Sequence, residues 1–249
     1  MGAKTAAVLV IGEEILSGKT TDLNAALLVK ELRSLGVSLR RIVVLGDVLP
    51  EIAAALRELS ATHDFVFTSG GVGPTHDDVT MAAVAEAFGM PLVRHPELEQ
   101  KMRAFYGERL EERSLRMADV PEGCLLVDSD HLSWPVPVVR NVHVLPGVPE
   151  IFRRKFMAIR GRFADAPFHL REVFVDADES TIAARLDQVV EAFPGVFVGS
   201  YPRFYFPHET PRWRVKLTLE SKSAGEVERA TAQLQRLLGP LVVPPDPPA

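Results

Sequence analysis

Residues 69–78 read Ser-Gly-Gly-Val-Gly-Pro-Thr-His-Asp-Asp. The apolar run Phe65, Val66 and Phe67 precedes them, and Met81, Val84 and Phe88 follow at helical spacing. A strand that breaks into glycines and then opens a helix has the layout of an anion-binding turn. Glycine lets the backbone take φ > 0 and approach a ligand closely. The helix start adds unpaired N–H groups and the positive end of a dipole. Ser69, Gly70, Gly71, Gly73, Pro74 and Thr75 are therefore candidate substrate-binding residues, with the amides from Gly71 to Thr75 expected to hold phosphate oxygens. The adjacent carboxylates of Asp77 and Asp78 would repel a bare phosphate. A divalent cation set between them and the phosphate removes that conflict. One aspartate suffices to cap a helix, so the pair exceeds what a tight connection needs. His76, a lone loop histidine, reads as an exposed side chain.

Three other apolar runs end in residues of the same kind. Ala7 to Ile11 ends in Gly12, Glu13 and Glu14, with Asp22 and Asn24 shortly after. Arg41 to Leu45 ends in Gly46 and Asp47, and Asn141 to Leu145 ends in Pro146, Gly147, Val148 and Pro149. Each has a structural reading when taken alone. Glu13 and Glu14 read as a solvated turn ahead of a helix cap at Asp22 or Asn24. Asp47 reads as a turn or cap before Pro50, and the Pro146 segment as a rigid helix start. Ligands in open α/β sheets bind outside the carboxyl ends of the strands, where all four segments fall.

The elements that must position these residues follow from periodicity. Ala25, Leu28, Leu32 and Leu35 mark a helix that Gly36 stops. Pro50 starts a helix with Ile52, Leu56 and Leu59 on its apolar face, and Pro96 another with Leu98, Met102 and Phe105. Phe152, Phe156 and Ile159 mark a further helix. Continuous apolar strands alternating with helices predict an α/β fold: a three-layer, parallel-rich sheet covered on both faces.

After about residue 165 the pattern changes to βαββαβ, the ferredoxin-like split unit. The expected domains are therefore 1–165 and a smaller α+β domain over 166–249, joined at Ala164 to Pro167. The tail from Pro244 to Pro248 cannot join a ladder and is expected to be extended or disordered. Trp213 is expected in the small domain's core. Phe204, Tyr205 and Phe206 are consecutive, so one sheet face cannot bury all three. At least one of them is expected either to meet another subunit, with a dimer favoured, or to overhang the nucleotide pocket where an adenine could stack.

The chain has 249 residues, 47% hydrophobic and 24% charged, as in ordinary globular proteins. A net charge of −5 without a basic stripe argues against nucleic acid as partner. Cys124 is the one cysteine, which excludes a disulfide framework and a cysteine-based zinc site within the chain. It reads as a small buried hydrophobe. No apolar run approaches the ~20 residues of a membrane span. Ala6 to Ile11 is too short for a signal sequence, so a cytoplasmic protein is expected.

These fragments, in this order, resemble the N-terminal region of the CinA family, the MoaB/MogA-like or molybdopterin-binding domain. They are similar also to the molybdopterin-binding domain of eukaryotic FAD synthases, down to Thr75-His76-Asp77-Asp78-Val79-Thr80 and the later Gly199, Ser200, Tyr201 and Pro202. The resemblance covers nearly the whole chain. It implies that Asp78 is functionally important and that Asp47 matches a second acidic position. Glu13 stands where the family has Asp, and Ser69 where Thr is usual. Neither the deamidase domain of full-length CinA proteins nor the FAD-forming domain of the eukaryotic enzymes has a counterpart, so neither activity is expected.

The resemblance implies a metal-dependent hydrolase that splits the pyrophosphate of an adenine dinucleotide such as ADP-ribose or FAD. Asp78, with Asp47 or Glu14, is expected to hold Mg²⁺, Mn²⁺ or Co²⁺. Gly12, Asn24, Asp77, Pro146 and Gly147 join the glycine loop as substrate-binding candidates, and Glu14 or Asp77 is the candidate base. A molybdopterin adenylyltransferase, or a non-catalytic pterin- or nucleotide-binding module, would use the same parts.

Overall fold

The computed structural model describes residues 3–127, 132, 134–206 and 211–247. The chain divides into two compact units, Met1–Asp165 and Ala166–Ala249. The first unit begins β1 (Thr5–Ile11), α1 (Glu13–Leu16), α2 (Asn24–Ser34), β2 (Ser38–Leu45), α3 (Leu49–Thr62), β3 (Phe65–Ser69) and α4 (Thr80–Phe88). It continues with β4 (Leu92–Arg94), α5 (Pro96–Tyr106), β5 (Asp119–Pro121), β6 (Leu125–Val127), β7 (Val136–Val139), β8 (Val142–Leu145) and α6 (Pro149–Ile159).

Six strands form the main sheet in the order β2-β1-β3-β8-β7-β6. The first four are parallel. The last two are antiparallel, so the sheet is mixed rather than parallel throughout. β1 shows why its run is apolar at every position. Ala7, Leu9 and Ile11 face one core with Ile52, Leu56 and Leu59 of α3, Val84 of α4, and Leu98 and Met102 of α5. Ala6, Val8 and Val10 face the other, with Leu28 and Leu32 of α2 and Phe152, Phe156 and Ile159 of α6. Both faces are covered, as three layers require. Cys124 is free and buried in the first of these cores. Phe105, expected on the buried face of α5, is instead 73% exposed. It lies in the helix's last turn, edge-on to Tyr106 at 4.9 Å, and lines a cleft described below. Among the described residues no helix is long and apolar enough to cross a membrane.

The second unit runs β9 (His169–Val175), α7 (Glu179–Ala192), β10 (Phe197–Pro202), β11 (Val215–Ser221), α8 (Ala224–Leu238) and β12 (Val242–Val243). Its antiparallel sheet has the order β10-β11-β9-β12, the ferredoxin-like arrangement. Val215, Leu217 and Leu219 alternate inward onto Ile182 of α7 and Val227 and Leu234 of α8. Trp213 is not in this core. It packs on Phe174, whose neighbours Val173 and Val175 point inward, so Trp213 lies on the opposite face. Its indole N–H donates to Asp246 at 3.1 Å and the Arg203 guanidinium covers its ring, which ties part of the C-terminal tail to the sheet. Pro248 lies outside the described residues. Phe204 and Phe206 pack on each other and are both exposed.

One core residue makes the first unit sensitive to acid. His143 of β8 is 8% exposed and packs among Phe65, Phe67 and Phe163. Burial lowers its pKa from 6.5 to about 4. The imidazole therefore stays neutral in the fold while the unfolded chain takes up a proton from about pH 6.5 downward. The stability is complete above that pH and is lost as pH falls toward 4. Chemical denaturation should show His143 costing about 3 kcal/mol between pH 7 and pH 4, a loss that His143→Phe removes. Identical pH dependence of the two proteins would contradict a neutral buried imidazole.

Candidate functional site

The parallel register brings four strand ends to one edge. Ile11 pairs with Leu45, Val10 with Ser69, and Ser69 with Leu145. The ladder continues one step further, with Gly12 N–H donating to Leu45 O at 3.0 Å and Gly70 N–H to Leu145 O at 3.2 Å. Gly70 has φ +108° and lies so close to β1 that a Cβ there would collide with the Ile11 carbonyl oxygen. On its other side, a Cβ on Gly147 would stand 3.3 Å from Gly70 Cα. Asn24 locks this junction. It is 4% exposed, and its Nδ2 donates to both Ser69 Oγ and Gly147 O at 2.8 Å. The cap of α2 is Asp22, which accepts from the N–H groups of Asn24 and Ala25. The Asn24 side chain is thus a bridge between the ends of β3 and β8.

The glycine loop departs from the expected phosphate cradle. Asp78 Oδ1 accepts from Gly73 N–H at 2.6 Å, and Oδ2 accepts from Thr75 N–H at 2.8 Å and from the Thr75 hydroxyl at 2.5 Å. Three donors converge on one carboxylate. The loop is an anion-binding turn, and the anion it holds is its own side chain. The amides of Gly73 and Thr75, expected to face phosphate, are taken, and Pro74 has no N–H to give. Among the described residues, the N–H groups of Gly71 and Val72 are left without a protein acceptor. The helix start is also used internally. Thr80, the first residue of α4, donates its N–H to Gly71 O at 3.0 Å and its hydroxyl to Gly70 O at 2.9 Å. Gly71 has φ +63° and abuts Thr80 Oγ1, leaving no room for a side chain. His76 and Asp77 are exposed.

The other acids stand at the ends of β1 and β2. Asp47 Oδ2 accepts from Glu13 N–H at 3.0 Å, capping the short α1 from the neighbouring strand. The Glu13 carboxylate, one methylene longer than aspartate, lies over Gly46, where a Cβ would meet it at 2.6 Å. The Glu14 carboxylate folds back over Gly12 in the same way, at 2.5 Å. Among the described residues no three His, Cys, Asp or Glu side chains converge as a metal cage would need. A cation that arrives with a diphosphate needs only one or two carboxylates, the rest being phosphate oxygens and water. Asp78 keeps one of about four lone-pair sites open and Asp47 one whole oxygen, at the ends of strands that β1 separates.

A cleft of about 640 Å³ opens beside the loop, a size suited to a small-molecule ligand. Gly71, Gly73, Asp78 and Pro146 line it, whereas Gly12, Glu14, Asn24, Asp47, Ser69, Gly70, Pro74, Thr75, Asp77 and Gly147 do not. Several wall residues were not among the candidate site residues, including Met81, Trp134, Arg116 and Lys155. Arg116 Nη2 reaches Asp78 O at 3.4 Å. Lys155 is 7% exposed and donates to Pro135 O at 3.1 Å. Burial lowers its pKa from 10.5 to about 8. A signal for it was present: Lys155 interrupts the apolar stripe of Phe152, Phe156 and Ile159 on α6.

Residues 7–162 match the family described as probable molybdopterin binding domain, and residues 167–246 match the FAD synthase middle domain. A probable FAD synthase of Caenorhabditis elegans is 34% identical over 272 aligned residues, covering 96% of this chain and 51% of that protein. A CinA-like protein of Gemmatimonas aurantiaca is 37% identical over 187 residues, covering 72% of this chain and 42% of that one. The chain thus spans about half the length of the FAD synthases it matches. The crystal structure of the protein CinA, of unknown function, from Thermoplasma acidophilum matches with a TM-score of 0.60 and 32% identity, over 65% of this chain and 100% of that one. The glycine loop at the parallel strand ends, the three-layer sheet and these matches have one meaning: the chain belongs to the probable molybdopterin binding domain family, with the MoaB/MogA-like fold of CinA-like proteins, and its residues 167–246 match the FAD synthase middle domain.

Proposed function

We propose that the first unit hydrolyses the phosphoanhydride of an adenine dinucleotide such as ADP-ribose or FAD, with Mg²⁺, Mn²⁺ or Co²⁺ bound alongside the substrate. The observation that carries this reading is the convergence of three donors on Asp78 inside a glycine loop that borders the cleft. A loop built to hold an anion lies beside a pocket of nucleotide size. Relatives named FAD synthase support nucleotide chemistry.

In this reading the diphosphate lies along the loop and accepts from the N–H groups of Gly71 and Val72. Arg116, already against the Asp78 carbonyl, offsets its charge. Trp134, Phe105 and Met81 give the base an apolar wall and keep bulk water away. Asp78 and Asp47 are the proposed cation holders. When bound, the cation supplies neutralisation of the diphosphate and acidifies a water. Glu14, in the short α1 that follows β1, is the proposed acceptor of that water's proton. The water oxygen bonds to one phosphorus, the bridging oxygen leaves with the other phosphate, and AMP is one product. An adenylyl transfer to molybdopterin would use the same loop, and the matched domain description favours testing it. Incubation with each metal and a dinucleotide panel, with and without molybdopterin plus ATP, separates the two. AMP release without pterin supports hydrolysis, and product only with pterin supports transfer.

Asp78→Asn should lower kcat about 100-fold or more, because the charge is lost where the transition state gains its own. The variant should also lose about 1–2 kcal/mol of stability, since an amide cannot accept all three loop donors. Activity close to that of the unaltered protein, with metal present, would remove Asp78 from the mechanism. Asn24→Ala leaves Ser69 Oγ and Gly147 O without their buried donor. It should cost about 1–3 kcal/mol by denaturant titration and weaken ADP-ribose binding. A folded variant with unchanged stability and affinity would show that the strand junction does not set the site.

A further inference from the structure

The cleft wall formed by α6 holds a buried cation to which the described residues offer no ionic partner. Lys155 is 7% exposed, and its one hydrogen bond among the described residues goes to the Pro135 carbonyl. It makes no ion pair among them. Three other charged groups of the wall have partners. Lys101 lies 3.8 Å from Glu97, Asp119 is held by Arg94, and Arg116 bonds the Asp78 carbonyl. Packing does not call for an ammonium at Lys155, because its neighbours on the helix face, Phe152, Phe156 and Ile159, are core residues. A buried, uncompensated cation opposes folding, and an apolar side chain of similar volume is usually tolerated at least as well. An ammonium has three N–H donors, and one is used among the described residues. Lys155 lines a cleft sized for a ligand.

We propose that Lys155 is a seat for a phosphoryl oxygen of the ligand, a second anion site of the cleft beside the glycine loop. The proposal rests on the nucleotide reading of the cleft and extends it. The ligand carries its negative charge to two walls: one phosphate oxygen at the Gly71–Val72 amides, another at Lys155. A ligand with a diphosphate meets both, and a bare nucleoside meets neither.

The test uses the full chain and three probes: inorganic pyrophosphate, ADP and adenosine, each titrated by calorimetry. Lys155→Met removes the charge and keeps the volume. It should raise the melting temperature of the ligand-free protein and weaken pyrophosphate and ADP binding about tenfold or more, while leaving adenosine affinity unchanged. Pyrophosphate and ADP binding unchanged by the substitution overturns the proposal and leaves the nucleotide reading standing. Failure of the unaltered protein to bind pyrophosphate or ADP overturns both. An independent readout needs no variant. In protein carrying ¹³C-labelled lysine, pyrophosphate should raise the Lys155 pKa from about 8 by about one unit or more. An unmoved titration in the presence of bound pyrophosphate also overturns the proposal.

Discussion

The contact on which the site depends is backbone against backbone. Gly70 sits between the Ile11 carbonyl at the end of β1, which leaves no room for a side chain, and Gly147 after β8, whose own Cβ would stand 3.3 Å from Gly70 Cα. Nothing but glycine can follow β3 there. Asn24 then joins Ser69 to Gly147 through a single buried amide group. The sheet, helix α2 and the turn after β8 therefore meet at one point, and the glycine loop leaves from it. The loop's shape is inherited from this junction, and Thr80 closes it from the other end by bonding the carbonyls of Gly70 and Gly71.

Electrostatics give the junction its chemical character. The loop binds an anion, and without ligand that anion is Asp78. Across the cleft wall, Lys155 is a buried cation without an ionic partner among the described residues. The Asp78 contacts hold the loop in shape, whereas the buried Lys155 charge opposes folding. Both make sense if a ligand of mixed character, an anionic diphosphate accompanied by a divalent cation, completes the charge pattern. In the proposed function Asp78 then has two roles at different moments: it holds the loop shape when no ligand is bound and meets the cation when the substrate arrives.

Much of this was readable from residue order. The run Ala6 to Ile11 is buried at every position because the sheet is covered on both faces. The stripes on α2, α3 and α6 and the βαββαβ order after residue 165 follow from periodicity alone. So does the meeting of Gly12, Asp47, Gly70 and Pro146 at one edge, since parallel strands end together. The hairpin of β6 and β7 was not legible: both strands are short, and β7 carries a proline. The partners of Asp78 were not legible either. An aspartate that caps a loop and one that faces a phosphate have the same sequence neighbours, and only the fold of residues 73–78 tells them apart. Lys155 left a trace, a charge inside an apolar stripe. Its meaning needed the cleft. Trp213 and Phe105 were misplaced because aromatic residues near an apolar face were assigned to it without regard to strand alternation or to the end of the helix.

Hydrolysis of a dinucleotide is the central claim, and the fate of water oxygen tests it most directly. ADP-ribose or FAD would be incubated with the full chain and Mg²⁺, Mn²⁺ or Co²⁺ in ¹⁸O-enriched water, and the products examined by mass spectrometry and ³¹P NMR. The account predicts two monophosphates, AMP among them, with one ¹⁸O atom placed on phosphorus in one of the two for each bond cleaved. Intact dinucleotide under every metal, or AMP found only as an unlabelled adduct on an added pterin acceptor, would contradict it.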